Sequence, residues 1–303
     1  MKTIHSITEF HRLHALPEPQ HPLISVINVA DMRFTDRDLW RQFVLQFYCV
    51  SLKRGIIGKV RYGQQYFDFD KGLMTFVSAG QVQSLETAED AILDPDFGTG
   101  QALFFHPEFL YKHPLAATIR NYGFFSYSLH EALHLSEKEE QNMQAVFLKI
   151  AEELVHIDRH TQEIVLSQID LLLNYSNRFY ERQFITRKSV NHDLLTKMEN
   201  VLNAYFDEQA PVNNELPTVE YLAGQLHLSP HYLSDMLRSL TGQNAQQHIH
   251  EKLIEKAKQY LSTTNLSVAE IAYQLGFEYA QSFNKLFKRK MNVSPLEFRR
   301  SFN

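Results

Sequence analysis

Basic side chains crowd one place in this chain. Residues 285–300 hold six Lys or Arg against a single acid, Glu297, and Lys285, Lys288, Arg289 and Lys290 are four of the six. Such density suits phosphate contact, although a solvated basic helix end gives the same pattern. Histidines form a second group with chemical potential. His11/His14, His130/His134 and His156/His160 lie three or four residues apart, a helical spacing at which two imidazoles can share a zinc ion. Cys49 is the third candidate, a lone thiol in the apolar run FVLQFYCVSLK. Its only close cations in sequence are Lys53 and Arg54, and a redox-active thiolate needs cationic neighbours. With one cysteine and no converging carboxylate pattern, we read the histidine pairs as structural or surface groups and Cys49 as a core thiol. No metal and no cofactor are expected.

The elements that position these residues divide the chain. Its 303 residues suggest two domains. Thirty basic against 35 acidic residues give a net charge of −5, a poor starting point for nucleic-acid binding. Division at Pro217 changes that picture: residues 1–216 carry 20 basic against 28 acidic groups, and residues 217–303 carry 10 against 7. Started at Val190, the second part has 11 against 12, so only its extreme end is markedly basic. One cysteine cannot build a disulfide framework, which favours a reducing compartment. The segment MKTIHSITEFHRLHALPEPQ lacks the apolar core of a secretory signal, and no run approaches a membrane span. A cytoplasmic protein with no membrane partner is expected.

Residues 22–106 read as short strands, at 23–29, 43–53, 57–62, 73–78 and 102–106, rich in β-branched and aromatic residues with Gly and Asp between them. Strands so short and numerous suggest a small barrel or sandwich. From Leu135 the period becomes helical. Ser136 and Glu139 have capping-box spacing, and Met143, Phe147, Ile150, Ala151 and Leu154 form an apolar stripe. A helix over 161–182 carries Val165, Ile169, Leu172 and Phe179 on one side, while Ile164, Leu166, Leu171, Leu173 and Tyr175 widen its apolar surface. That breadth implies burial on two sides, either within one chain or against a second copy. A third helix spans 191–206, and the polar stretch 207–217 follows as a loop.

Beyond it comes an imperfect repeat. TVEYLAGQLHLSPHYLSDMLRSLTG runs from Thr218 to Gly242, and SVAEIAYQLGFEYAQSFNKLFKRKMN from Ser267 to Asn292. Thr218 matches Ser267, Leu222 Ile271, Ala223 Ala272 and Leu226 Leu275; with one extra residue, Leu233 matches Phe283, Leu237 Phe287 and Arg238 Lys288. Each copy reads as a hydroxyl-capped helix, a tight turn and a second helix. The alanines are small where helices must cross, Leu228 and Phe277 can plug the space between helices, and Gly276 permits positive φ where the first copy has His227. This is the layout of a helix-turn-helix, whose second helix enters the major groove. Ile249, Leu253, Ala257 and Leu261 make the segment between the copies a helix. Its 17–19 residues span about 25–28 Å, which with the helix ends added can hold two reading heads near the ~34 Å between successive major grooves.

Residues 218–300 resemble the DNA-binding domain of the AraC/XylS family of bacterial transcription regulators. The second copy carries most of the likeness, through Ile271-Ala272, Gly276-Phe277, Phe283, Phe287-Lys288, Ser294-Pro295 and Phe298-Arg299. Asn292 stands where the family usually has Gly, and Lys252 where Arg is commoner. The resemblance implies base reading by His231, Ser234 and Asp235 in the first copy and by Ala280, Gln281, Asn284 and Lys285 in the second. Gln and Asn can bridge adenine, Lys can reach guanine, and Asp can accept from cytosine N4. Arg238, Ser282, Lys288 and Arg289 would clamp the DNA backbone.

The strand-rich segment resembles the cupin-like barrel of such regulators more faintly, best in LMTFVSAGQVQSL and GQALFFHPEFL. An enzymatic cupin is the rival reading, but it needs a metal held by several histidines, and no His lies between His21 and His106. Tyr48, Arg61 and Tyr62 can line an effector pocket or serve as core; no ligand site follows. The expected architecture is α+β in two domains. Residues 1–185 would form a cupin-like barrel with trailing helices at about 136–183, and 186–303 an all-α tandem helix-turn-helix (218–241 and 267–290) joined by a linker helix. The resemblance implies a homodimeric, sequence-specific activator that binds double-stranded promoter DNA and contacts RNA polymerase, with or without a small-molecule effector. Alternatives are a constitutive regulator whose barrel only dimerises, an enzyme, and an interaction module that has lost DNA binding.

Overall fold

The computed structural model describes residues 2–33, 42–54, 61–62, 65–66, 72–84, 99–128, 131–186, 188–207 and 215–301. They fall into two compact units, Met1–Gln183 and Phe184–Asn303. Sheets followed by helices make the first unit α+β, and the second is all-α.

The first unit contains β1 (Lys2–Ile4), β2 (Ile24–Asn28), β3 (Gln42–Leu45), β4 (Tyr48–Arg54), β5 (Arg61–Tyr62), β6 (Gln65–Tyr66), β7 (Leu73–Val77), β8 (Val82–Ser84), β9 (Thr99–Phe105) and β10 (Leu133–His134). One sheet has the order β10-β7-β4-β9-β2 and is antiparallel throughout, with Val50 opposite both Phe76 and Leu103. A second has the order β1-β3-β8, with β1 parallel to β3, and β5 pairs with β6 alone. The strand expected over 43–53 is therefore two strands in different sheets. Phe43, Val44 and Leu45 are consecutively buried, so the alternation that would carry a single strand across fails there. Fully buried Phe47 sits at the break and meets Phe10 and Phe104 edge-on, at centroid distances of 6.1 and 5.8 Å. Among the described residues no ladder joins the sheets into a closed barrel. They instead share one core, to which Ile4, Phe43 and Leu45 come from one sheet and Ile27, Ala102 and Phe104 from the other. Segment 57–60 and His130 lie outside the described residues, as do the side chains of Arg61 and Tyr62.

A helix that the strand pattern did not announce, α1 (Ile7–Leu13), adds Ile7 and Phe10 to that core behind the N-cap Ser6. After the short α2 (Leu115–Thr118) come α3 (Glu137–Glu153) and α4 (Thr161–Thr186). α3 begins at the expected capping box, Ser136 with Glu139, and buries Met143, Phe147 and Ile150. In α4, Val165, Leu166, Ile169, Leu172, Leu173 and Phe179 are buried, whereas Ile164 and Leu171 remain exposed. The wide apolar surface is thus mostly consumed within the unit. No described helix is long and apolar enough to cross a membrane.

His11 and His14 are structural. The His11 ring bridges Pro17 O at 2.5 Å and Ser25 Oγ at 3.0 Å, and His14 Nδ1 lies 3.2 Å from Arg33 O. Among the described residues no group of three or more His, Cys, Asp or Glu could hold a metal ion. Cys49 packs against the shared core, and burial pushes its thiol up to about 12 despite the field of Lys53. A thiol so protonated is a poor nucleophile. Tyr48 stacks on Phe105 at 5.0 Å, which makes it part of the aromatic packing.

Burial lowers the His14 imidazole from 6.5 to about 4, and it lowers His11 in the same direction. The unfolded chain therefore binds more protons between those values, so stability present above pH 6.5 is lost as pH falls toward 4. Thermal melts from pH 7 to 4.5 should show this decline, and His14→Gln should flatten it.

Candidate nucleic-acid interface

The second unit consists of α5 (Lys188–Asp207), α6 (Val219–Gln225), α7 (Pro230–Thr241), α8 (Ala245–Thr263), α9 (Val268–Gln274), α10 (Ala280–Met291) and α11 (Pro295–Arg300). The pairs α6–α7 and α9–α10 are the two copies of the repeat. Thr218 caps α6 through the Tyr221 amide at 3.1 Å, and Ser267 caps α9 in a capping box with Glu270. Ser229 caps α7, whose first residue is Pro230, a position where the missing N–H costs nothing. The matched residues Leu222/Ile271, Ala223/Ala272, Leu233/Phe283 and Leu237/Phe287 are all essentially inaccessible. Both second helices end in a left-handed residue, Gly242 at φ 78° and Asn292 at φ 60°. Asparagine therefore supplies at 292 what glycine supplies at 242.

The turns differ more than the helices. His227 holds φ 56° and Gly276 φ 89°. A Cβ on Gly276 would stand 2.4 Å from Glu215 O and 2.6 Å from Glu215 C. That carbonyl also accepts from Tyr205 Oη at 2.7 Å, which fixes the approach to the first repeat against the turn of the second. Leu228, expected as a plug, is only half-buried, whereas Phe277 is buried and meets Phe283 at 5.5 Å.

Between the copies, α8 starts at an Asn244–Gln247 capping box and buries Ala245, Ile249, Leu253, Ala257 and Leu261 along one seam. Its 19 residues are about 28 Å long. Lys252 pairs with Glu255 at 2.9 Å.

The sequence-derived residues lie on the outward faces of α7 and α10. Gln281, Ser282, Asn284, Lys285, Lys288 and Arg289 are exposed and Ala280 is half-exposed. On α7, His231 and Arg238 are exposed, while Ser234 and Asp235 are half-buried. Arg238 Nη1 donates to Asp235 Oδ1 at 3.0 Å, so a cation expected to clamp DNA is partnered by an acid one turn away. α10 carries no acid of its own, and its Arg289 and Lys290 depress the neighbouring His250, itself already lowered by burial. The face of α10 is thus polar and cationic, whereas that of α7 is partly self-neutralised. Sequence reasoning passed over Tyr279, which is 62% exposed at the head of α10. The available signal was an aromatic where α6, α7, α8, α9 and α11 have a hydroxyl or amide cap.

Residues 222–301 match a family model described as a helix-turn-helix domain. The C-terminal segment is an AraC-family helix-turn-helix domain. It is similar to the regulatory protein PocR of Salmonella typhimurium, 30% identical over 118 residues that are 39% of this chain and 37% of that one. The raffinose operon transcriptional regulatory protein RafR of Pediococcus pentosaceus is 36% identical over 84 residues, 28% of this chain and 30% of its own. The transcriptional activator RhaS of Salmonella schwarzengrund is 30% identical over 139 residues, 46% and 45% of the two chains. The chain thus spans less than half the length of each of these relatives. RafR and RhaS are named for regulating transcription, and PocR is named a regulatory protein.

In this AraC-family domain, Gly276→Ala should be destabilising, because left-handed backbone and a backbone clash coincide there. We expect a loss of about 2 kcal/mol or more in denaturant unfolding. The matching His227→Gly should stay within about 1 kcal/mol of the parent chain, since its strain is relieved as chain entropy rises.

Proposed function

We propose that the chain is a sequence-specific DNA-binding regulator of transcription, with α7 and α10 entering successive major grooves of double-stranded promoter DNA. The outward polar and cationic face of α10, on the second of two matched helix-turn-helix units, is the observation that carries this reading. Gln281, Asn284 and Lys285 present amide and ammonium groups to base edges beside Ala280, and Ser282, Lys288 and Arg289 take phosphates. His231, Ser234 and Asp235 form the reading set of α7, with Arg238 as its backbone contact. Lacking spare positive charge, α7 contributes less affinity than α10.

The division of labour we propose falls near residue 185. Residues 1–185 would form a sensing or dimerising part whose sheets are walls of a cupin-like barrel, and 186–303 the part that binds DNA. Exposed apolar residues on α3 and α4, Leu148, Ile164 and Leu171, support a homodimer. A cavity of about 370 Å³ bordered by Leu16, Ser25, Ile27, Leu154 and Val155 is of a size that small ligands fill, which supports an effector. Activation through RNA polymerase in the bacterial cytoplasm completes the reading. A purely dimerising first unit is the variant that ligand screening by thermal shift would separate.

Mobility shift on DNA upstream of the protein's own gene tests the central claim. Gln281→Ala and Lys285→Ala should each weaken binding to the preferred site by about tenfold, as loss of one good base contact implies. Lys288→Ala should weaken all sequences alike and reduce the slope of log K against log salt by about one. Unchanged binding in all three variants would refute the assignment.

Asp235→Asn gives an independent check on α7. Freed from its acid, Arg238 can meet phosphate, and non-specific affinity at low salt should rise about threefold or more. A fall instead would mean that Asp235 itself makes a favourable base contact.

A further inference from the structure

Tyr279 breaks a rule that the five other N-caps described in its unit obey. The N-caps Thr218, Ser229, Asn244, Ser267 and Ser294 each accept a hydrogen bond from the third residue of the helix they begin. Tyr279 heads α10 and makes no side-chain cap bond. The amide that a serine there would hold, that of Ser282, bonds instead to the Tyr279 carbonyl at 3.0 Å, and a residue without a capping side chain lowers helix stability. The ring is not recovered as core either, because it stands 62% exposed in front of Ala280. A position that gives up local stability and exposes an aromatic ring is where a functional constraint is expected.

Its surroundings narrow what the ring can meet. The Glu278 carboxylate beside it pushes the phenol's pKa up, so an acid stands at the hydroxyl end. A phosphate is a poor neighbour for such a pair, whereas the ring itself is open. On the base edges of the major groove the apolar group is the thymine C5-methyl. We infer that Tyr279 is a specificity-determining residue whose ring packs on a thymine methyl at the edge of the site read by α10. This rests on the DNA-binding reading above. It adds a preference for thymine next to the bases reached by Gln281 and Lys285.

The test uses the full chain with Tyr279→Ser, Tyr279→Phe and Tyr279→Ala, on upstream DNA made with thymine or with deoxyuridine, which lacks only the methyl. Tyr279→Ser should melt about 3–6 °C higher because it restores a cap. The same variant should bind thymine DNA about fourfold more weakly, the value of one buried methyl. Its loss on uracil DNA should be slight. Tyr279→Phe should keep both affinity and the thymine preference, and Tyr279→Ala should lose the preference without gaining stability. If Tyr279→Ser and the parent chain show the same thymine-to-uracil ratio, the inference is overturned while the DNA-binding reading stands. If the parent chain shifts no upstream DNA and Lys285→Ala is indistinguishable from it, both fall.

Discussion

The crossing of two short helices on an alanine is the contact that the candidate interface depends on. α6 and α9 have seven residues each, well below the length at which a helix persists alone in water. They exist because Ala223 and Ala272 let a partner helix approach closely and because Leu222 and Ile271 are buried in that approach. Side-chain caps satisfy the first amides, and a left-handed turn residue redirects the chain at once. Each second helix is thereby held by its inner face, Leu233 with Leu237 or Phe283 with Phe287, which leaves the outer face free to carry chemistry without any role in folding.

This division explains what could be read from sequence. The repeat was legible because its determinants are local: caps three residues from their amides, apolar positions four apart, and Gly276 at a turn. The capping box of α3 and the seam of α8 were legible for the same reason. Sheet membership was not. Phe43 to Lys53 looks continuous in composition, yet β3 and β4 belong to different sheets, because pairing is decided by residues 20 to 57 positions away. Nor was α1 visible, since seven residues give too few periods to register against neighbouring strands. At the interface the positions on α7 and α10 came from the family resemblance, but the Asp235–Arg238 pair was visible only in the structure. Tyr279 escaped notice because its signal is a missing cap, which composition does not advertise.

The two halves of the repeat also differ in a way that symmetry hides. The Gly276 turn is close-packed against Glu215 and Phe277 is buried, whereas the His227 turn pairs with a half-buried Leu228. The second copy is consequently the better-anchored frame, and it also carries the cations. On the proposed reading, affinity from phosphate contact and precision from rigid placement would coincide on α10. α7, with looser packing and a neutralised arginine, is suited to discriminate between sites already engaged by its neighbour.

Net charge is the wrong scale on which to judge such a molecule. The acidic excess resides in residues 1–216, and the C-terminal part is close to neutral except at its end. A domain of this kind has little general attraction for phosphate, so non-specific binding is modest and sensitive to salt. Specificity must then come from a few outward residues on two helices and from their spacing along α8. An uncapped aromatic at the head of the better-anchored helix fits that economy, because one apolar contact adds discrimination without adding charge. The fold makes this possible: five hydroxyl or amide caps and two alanine crossings stabilise the unit enough that one cap can be forgone where the chain meets its partner.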